Sequence, residues 1–213
     1  MMTSAAVLLG GSTWTLAEYL LHRFVGHGPR RVPPATRIRR LTPMGFLGAF
    51  NDEHLRHHAD ARYFAPTSQK LAAAGATVTL LGGIGSALAG PRLGGAYAVG
   101  FVLAYGAYEI LHRRIHTHGA RSRYGRWRRR HHLFHHFKTP RMNHGVTTPV
   151  WDRVARTEVA LDHDEPLRVP QHLAPPWMVD TEGEILAAYA IDYVIAGRDR
   201  PQPARPVPTA AFR

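Results

Sequence analysis

The histidines of this 213-residue chain are concentrated in a few short stretches. Ten of the fifteen fall into four groups with the spacings HX4H, HX2HH, HX3H and HX2HH. These ten are His22, His27, His54, His57, His58, His112, His116, His132, His135 and His136. Neutral imidazole nitrogen is a ligand for zinc, copper, iron and nickel. Four such groups in one chain indicate a metal site rather than a solvated helix face.

The spacing within the groups suits ligands carried on helices. On an α-helix, residues i, i+3 and i+4 project from one face, so each HX2HH group is expected to turn three imidazoles toward one point. Ten imidazoles exceed the four positions around a single tetrahedral ion, so the sequence predicts two metal ions. The chain has no cysteine, which excludes thiolate zinc sites, iron–sulfur clusters and disulfides.

Two acidic residues precede histidine groups. Glu18 lies four residues before His22, and Glu109 lies three residues before His112. A carboxylate at this spacing can orient a ligand ring, or it can pair with a nearby arginine. The sequence favours neither interpretation.

Three histidines beside the groups are expected to lie outside the ligand set: His118, His131 and His144. His131 competes with His132 because it has its own i+4 relation to His135, but the 3.6-residue period points it about 100° away from His132. His144 follows the last group and is placed to contact a ligand ring or the substrate. His163 and His172 fall in a proline-rich segment and are expected to be solvated.

Three apolar segments position the histidine groups. Residues 71–90 contain no charge over twenty residues, about the length of a membrane-spanning helix. Residues 93–111 are again mainly apolar, and the two segments predict a helical hairpin with its tip at 90–92. Residues 5–21 are a weaker third span that contains Glu18 and does not resemble a signal peptide. The alternative, that all three are core helices of a soluble protein, is favoured by the mean hydropathy of −0.23.

The chain is strongly basic, with a formal charge of +12. Basic runs follow the first and third spans, at 30–40 and 113–130, whereas the hairpin tip has only Arg92. The positive-inside tendency therefore predicts that the histidines lie on the cytoplasmic face of an integral membrane protein. Phospholipid headgroups are expected partners of this face, at about 1 kcal/mol per basic residue. Nucleic acid is not expected, although the arginine-rich run 121–132 is the best argument for a non-enzymatic metal- or nucleic-acid-binding protein.

The end of the chain has a separate organisation. Residues 161–197 are predicted to be a cytoplasmic segment, in which 180–197 form one amphipathic helix opened by a capping box from Thr181 to Glu184. Residues 198–213 are rich in proline and arginine and are expected to be disordered. The predicted fold is thus all-α: a membrane-embedded helical bundle over 1–160 with a cytoplasmic helical cap that carries a poly-histidine dimetal site.

Five stretches together resemble the fatty acid hydroxylase and sterol desaturase superfamily of integral membrane non-haem diiron oxygenases. They are AEYLLHRFVGH, HLRHH, YEILHRRIH, RRHHLFHH and NHGVTTPVWDRVART, between Ala17 and Thr157. The resemblance implies that the ten histidines bind two iron ions, which zinc can replace in purified protein. It also implies O2-dependent hydroxylation or desaturation of a lipid C–H bond. The electrons would come from a separate cytochrome- or ferredoxin-type protein.

The resemblance leaves an alternative and a discrepancy. Carotenoid ring hydroxylases are also histidine-rich membrane oxygenases, but the HX3H group and the GVTTPVWD stretch are more similar to the fatty acid and sterol group. Members of that group often have an even number of spans, whereas three are counted here.

Overall fold

The computed structural model describes residues 1–31, 36–40, 42–161 and 165–197 of the chain. The described part is mostly helical. Its α-helices are α1 (Met2–Leu20), α2 (Arg37–Arg40), α3 (Pro43–Ala59), α4 (Thr67–Ala89), α5 (Pro91–Thr117), α6 (Arg123–Phe137) and α7 (Val150–Val154). A π-helical turn, Leu21–Gly26, continues α1. Two short strands, β1 (Leu167–Val169) and β2 (Tyr193–Ile195), pair in parallel with Leu167 opposite Tyr193.

Helix α5 is central, because α1 and α4 both pack along it. Small residues allow the backbones to touch. A Cβ atom at Gly10 would lie 2.0 Å from the carbonyl oxygen of Tyr97, and one at Gly100 would lie 2.0 Å from that of Val7. Close contact through glycine is typical of helices that associate within a membrane. The predicted hairpin is present as α4 and α5, which meet at Gly90.

The three predicted spans correspond to helices of different character. Among the helices in the described ranges, only α4 is long and apolar enough to cross a membrane, with a hydropathy of 1.6 in its best window. It has no buried residue. Helices α1 and α5 form where spans were predicted, but their composition does not meet the same criterion.

The predicted amphipathic helix over 180–197 is wrong. This segment contains a bridge between Val179 and Ile185, a 3-10 turn and strand β2. The Asp180 carboxylate accepts hydrogen bonds from the backbone N–H groups of Glu182 and Glu184, both at 2.9 Å, which forms a turn in place of a helical cap. Gly183 then adopts a φ of 78°, which no right-handed helix accommodates.

The main hydrophobic core lies between the C-terminal segment and helices α5 and α6. Its buried members are Ile115, Leu133, Val146, Leu167, Val169, Ala174, Met178, Tyr193 and Ile195. The indole N–H of Trp177 donates to the carbonyl of Ile115 at 3.0 Å, and Arg130 forms a buried ion pair with Asp192 at 3.1 Å. This segment therefore packs against α5 and α6, which both carry histidine groups. The predicted disordered tail, 198–213, and the predicted solvated residue His163 lie outside the described residues.

Candidate dimetal centre

The ten predicted histidines come together in two clusters of five. Cluster 1 consists of His22, His27, His54, His58 and His135, and cluster 2 consists of His57, His112, His116, His132 and His136. In each cluster, one ring nitrogen from every member lies within 4.8 Å of the others. The histidine clusters fit a dimetal site, and neither contains a carboxylate.

Each HX2HH group is divided between the two clusters, so the expectation that its three imidazoles face one point is wrong. On α3, His54 and His58 belong to cluster 1 and His57 to cluster 2. On α6 the division is reversed, with only His135 in cluster 1. Residues i and i+4 are about 40° apart around a helix, whereas i+3 is about 100° from i+4. Both helices therefore lie between the clusters and contribute to each.

The HX4H group depends on the π-helical turn. The backbone N–H of His27 donates to the carbonyl of His22 at 3.0 Å, a hydrogen bond across five residues. In an α-helix, i+5 would lie about 140° from i, but here the ring centroids of His22 and His27 are 5.3 Å apart. Such turns are frequent at functional sites. This turn was not predicted, although the HX4H spacing indicates it.

Burial keeps the clustered imidazoles neutral. It lowers the pKa of His22 and of His135 well below the ordinary value, and neighbouring histidines lower both further. Burial likewise lowers the pKa of His27 and of His57 to about 4. Neutral imidazole is the form that binds a metal ion.

Backbone carbonyls fix the tautomer of three clustered rings. Nδ1 donates from His22 to the His144 oxygen at 2.5 Å, from His135 to the Met142 oxygen at 2.7 Å, and from His57 to the Tyr63 oxygen at 2.8 Å. A carbonyl oxygen only accepts hydrogen bonds, so Nδ1 carries the proton in each ring. The second nitrogen, Nε2, therefore has the free lone pair.

In cluster 1 these lone pairs converge. The Nε2 atoms of His22 and His135 are 2.9 Å apart, and His135 Nε2 is also 2.8 Å from that of His27 and 3.2 Å from that of His58. One ring nitrogen cannot form three hydrogen bonds. With metal–nitrogen bonds of about 2.0–2.1 Å, two ligands at a right angle are about 3 Å apart. The observed separations fit a shared cation.

Cluster 2 has the same arrangement. His57 Nε2 lies 3.0 Å from His112 Nε2 and 3.2 Å from His116 Nε2, and the latter lies 3.0 Å from His132 Nε2. The Nε2 atom of His136 is buried without a hydrogen-bond partner in the described structure. An unpaired buried nitrogen is costly, and a metal ion in this cluster would satisfy it.

The other predicted residues lie around the clusters. The Glu18 carboxylate accepts from the backbone N–H groups of Val146 and Thr147 at 2.5 and 3.0 Å, whereas the ring nitrogens of His22 contact the His144 carbonyl and His135. Glu109 pairs with Lys70 rather than with His112.

The nearby histidines have separate environments. His118 is exposed and its ring contacts the Thr117 hydroxyl at 2.8 Å. His131 and His144 are buried, with ring nitrogens 3.7 and 3.5 Å from the Asp152 carboxylate. His172 is exposed.

Asp152, which was not predicted as a site residue, is fully buried. Its carboxylate accepts from the backbone N–H groups of His144 and Gly145 at 2.9 and 2.7 Å, and from the Thr157 hydroxyl at 2.8 Å. Burial alone would raise the pKa of Asp152, but the adjacent imidazoles and these backbone donors hold it well below the ordinary value. The only signal in the sequence is its place in the GVTTPVWD stretch.

The chain is similar to several known hydroxylases. It is 29% identical over 153 residues to the dihydroceramide fatty acyl 2-hydroxylase FAH2 of Arabidopsis thaliana, covering 71% of this chain and 59% of that protein. It is 27% identical over 165 residues to the fatty acid 2-hydroxylase of Rattus norvegicus, covering 74% and 40%. It is 31% identical over 160 residues to the ceramide very long chain fatty acid hydroxylase scs7 of Schizosaccharomyces pombe, covering 74% and 43%. The chain thus spans between 40% and 59% of the length of these relatives.

A solved structure of full-length scs7p, in which only the hydroxylase domain is visible, has the same fold. It superposes with a TM-score of 0.58 at 24% identity, over 74% of this chain and 56% of that one. The profile of the fatty acid hydroxylase family matches residues 7–157, a range that contains all ten clustered histidines. The chain therefore belongs to the fatty acid hydroxylase family.

Proposed function

We propose that the protein is a non-haem diiron hydroxylase that introduces a hydroxyl group into the acyl chain of a membrane lipid. Clusters 1 and 2 would each hold one iron ion. The observation that carries the proposal is the convergence of buried, neutral imidazole nitrogens at two adjacent points, with separations that fit metal coordination. Membership of the fatty acid hydroxylase family supports the reaction class.

The residues of the chain have defined tasks in this proposal. Two iron ions bound by the clusters would supply the O2 chemistry that oxidises a C–H bond. The ten imidazoles hold the ions, and the carbonyls of Tyr63, Met142 and His144 orient three of the rings. Iron is expected for activity, and the purified protein is expected to retain zinc because imidazole sites bind zinc more tightly than ferrous iron.

An acyl chain is the substrate that best fits the relatives and the surface of the helices. The similar proteins are named as hydroxylases of fatty acids, fatty acyl groups or ceramide fatty acids, which favours hydroxylation over desaturation and over carotenoid ring oxidation. Between α4 and α5 lies a groove of about 350 Å³ whose lining includes Val78, Val99, Val102 and Leu103. Such a groove offers contact to acyl chains rather than to polar substrates.

The proposal places α1, α4 and α5 in the membrane and the histidine clusters on its cytoplasmic face. Helix α4 supports it, because this apolar helix exposes Leu71, Leu80 and Leu88. Two exposed arginines near the C-terminal end of α5, Arg113 and Arg114, would contact phospholipid headgroups. Electrons would arrive from a separate cytochrome- or ferredoxin-type protein.

The experiment is lipid analysis of cells that express the protein, grown under isotopically heavy O2. We expect acyl chains that gain one heavy oxygen atom in cells with the wild-type protein and in no others. The matched control is His132→Ala, which removes a cluster 2 imidazole and should abolish the product. Hydroxylated product that carries no heavy oxygen, or an equal amount with the variant, would contradict the proposal.

A further inference from the structure

We propose that Asp152 is a positioning residue that acts on the cluster 1 ligand His22 through a single peptide group. The inference rests on the proposed function, in which cluster 1 binds a metal ion. Residues 142–147, here called the carbonyl loop, provide the connection between the carboxylate and the ring. Neither the spacing of the histidines nor the family match assigns a role to this loop or to Asp152.

Both polar groups of the peptide between His144 and Gly145 form hydrogen bonds. Its N–H, on Gly145, donates to Asp152 Oδ2 at 2.7 Å. Its carbonyl oxygen, on His144, accepts from Nδ1 of His22 at 2.5 Å. Hydrogen bonds in series polarise one another. The negative charge of Asp152 therefore strengthens the carbonyl as an acceptor, fixes the His22 tautomer and makes its Nε2 a better ligand.

The carbonyl loop serves a second ligand of the same cluster. The Met142 carbonyl accepts from Nδ1 of His135 at 2.7 Å. Thus two rings from different elements, the π-helical turn and α6, take their orientation from one loop. The carbonyl loop does not orient the cluster 2 ligand His57, whose Nδ1 donates to the carbonyl of Tyr63.

The loop is held in an unusual conformation between these two carbonyls. Asn143 is fully buried with a φ of 57°, in the left-handed region that non-glycine residues rarely adopt. Its backbone N–H donates to the Thr157 carbonyl at 2.8 Å, and its side-chain oxygen accepts from the N–H of Val159 at 2.7 Å. These bonds stabilise the left-handed conformation, which asparagine adopts more readily than most non-glycine residues.

Two carboxylates anchor four successive N–H groups of the loop, which provides a matched comparison. Asp152 accepts from His144 and Gly145, and Glu18 accepts from Val146 and Thr147. Of these two carboxylates, only Asp152 bonds to the peptide group whose carbonyl contacts the His22 ring. If Asp152 acts through that peptide, its loss should matter more than the loss of Glu18. If both only hold the loop, the two losses should be alike.

The test is a competition titration with a zinc chelator on the purified, zinc-loaded full-length protein. We expect wild type to hold two zinc ions. Asp152→Asn should weaken one of them by about 10–100-fold, the usual effect of losing a residue that supports a metal ligand. Glu18→Gln should give a clearly smaller loss. Asp180→Asn, which changes a carboxylate that also accepts from two backbone N–H groups but lies in a turn of the C-terminal segment, should change neither ion.

Double variants show which of the two clusters holds the weakened zinc ion. His57→Ala leaves only cluster 1 complete, and there Asp152→Asn should still weaken the remaining ion. His27→Ala leaves only cluster 2 complete, and there Asp152→Asn should have no effect. Should Asp152→Asn fail to fold, Thr157→Val removes a hydroxyl that donates to Asp152 Oδ1 and also contacts the Tyr19 hydroxyl. The Asp152 carboxylate is then held less firmly against the peptide group, so cluster 1 should weaken.

The outcomes separate the two proposals. Equal weakening by Asp152→Asn and Glu18→Gln, weakening of both ions, or no weakening in a folded variant would overturn the role of Asp152 and leave the dimetal site intact. Wild-type protein that holds fewer than two zinc ions would overturn the proposed function, and the role of Asp152 with it.

Discussion

His131 and His132 are adjacent in sequence but lie in different surroundings. The ring of His132 is in cluster 2, with Nε2 3.0 Å from that of His116, whereas the ring of His131 faces Asp152 at 3.7 Å. Both side chains are buried, so burial alone does not distinguish a ligand from its neighbour. Direction around the helix does, because successive residues are about 100° apart.

Alanine substitution should lower the metal content at His132 but not at His131. His132→Ala removes a cluster 2 nitrogen, so we expect the chain to hold close to one metal ion and to lose hydroxylase activity. His131→Ala should hold close to two ions and lose activity only in part, through its neighbour Asp152. Elemental analysis of folded protein measures both. Metal loss from His131→Ala with retention in His132→Ala would shift the ligand set by one residue.

The buried imidazoles also predict how the metal-free protein responds to acid. His27 and His57 have a pKa of about 4 in the fold, compared with 6.5 when unperturbed. Between these values the unfolded chain binds more protons than the folded chain, so stability falls as pH falls from about 6.5 to 4. Each such histidine contributes up to about 1.4 kcal/mol per pH unit. Thermal unfolding of the chelator-treated protein should show a midpoint that decreases steeply over this window.

The metal-loaded protein is the control for this prediction. Bound metal keeps the rings unprotonated, so its unfolding midpoint should remain nearly constant until the pH is low enough to release the ions. A metal-free midpoint that does not change between pH 6.5 and 4 would contradict the burial of these imidazoles.

The sequence identified the ten clustered residues but not their partition. The spacing of the histidines reveals which side chains share a helix face. This information was sufficient to predict His54 and His112 as metal ligands. The division of His57 and His58 between clusters depends on α3 lying between two sets of partners, which no local pattern encodes. Asp152 was missed for a related reason, since the two contacts that link it to the carbonyl loop are to backbone N–H groups, which every sequence provides.

The close contact of helix α1 with helix α5 sets the position of His22 relative to His112. Helix α1 leads directly into the π-helical turn, and α5 carries two cluster 2 histidines near its end. The approach of the two helices depends on glycine, because a side chain at Gly100 would overlap the carbonyl of Val7.

Gly100→Val should therefore separate α1 from α5 and weaken the metal site from a distance. We expect a lower thermal midpoint and weaker metal retention, because backbone atoms cannot move aside as a flexible side chain can. Gly106→Val on the same helix is the matched control, since nothing lies within 4 Å of a Cβ there. Equal effects of both variants would show that helix propensity, and not the contact, is responsible.

Elements defined by apolar runs were predictable, and those defined by local turn chemistry were not. The hairpin of α4 and α5 follows from two apolar stretches separated by Pro91. The helix expected over 180–197 does not form, because the Asp180 carboxylate and the positive φ of Gly183 direct the chain into a turn. The π-helical turn was equally invisible to a search for 3.6-residue periodicity.

The proposed orientation of the protein in the membrane can be tested with introduced cysteines. The chain has no cysteine, so single introduced cysteines report their side without background. We expect Arg92→Cys, at the hairpin tip, to react with an impermeant thiol reagent only from the side opposite the cytoplasm. Arg121→Cys, exposed just before α6, should react only from the cytoplasmic side. Labelling of both from one side would contradict the proposed hairpin.

Helix α4 has a consequence for how the protein responds to its bilayer. It has 23 residues and none of them is buried, so in the proposed arrangement lipid takes the place that a protein core takes for other helices. Its apolar part, residues 71–89, is about 29 Å long and matches a hydrocarbon core of about 30 Å, so a thicker or thinner bilayer would change the tilt or depth of α4. Lys70, in its first turn, pairs with Glu109, three residues before His112 of cluster 2. The thickness of the surrounding membrane is thereby mechanically connected to the metal site, and hydroxylation in reconstituted vesicles should vary with the chain length of the host lipid.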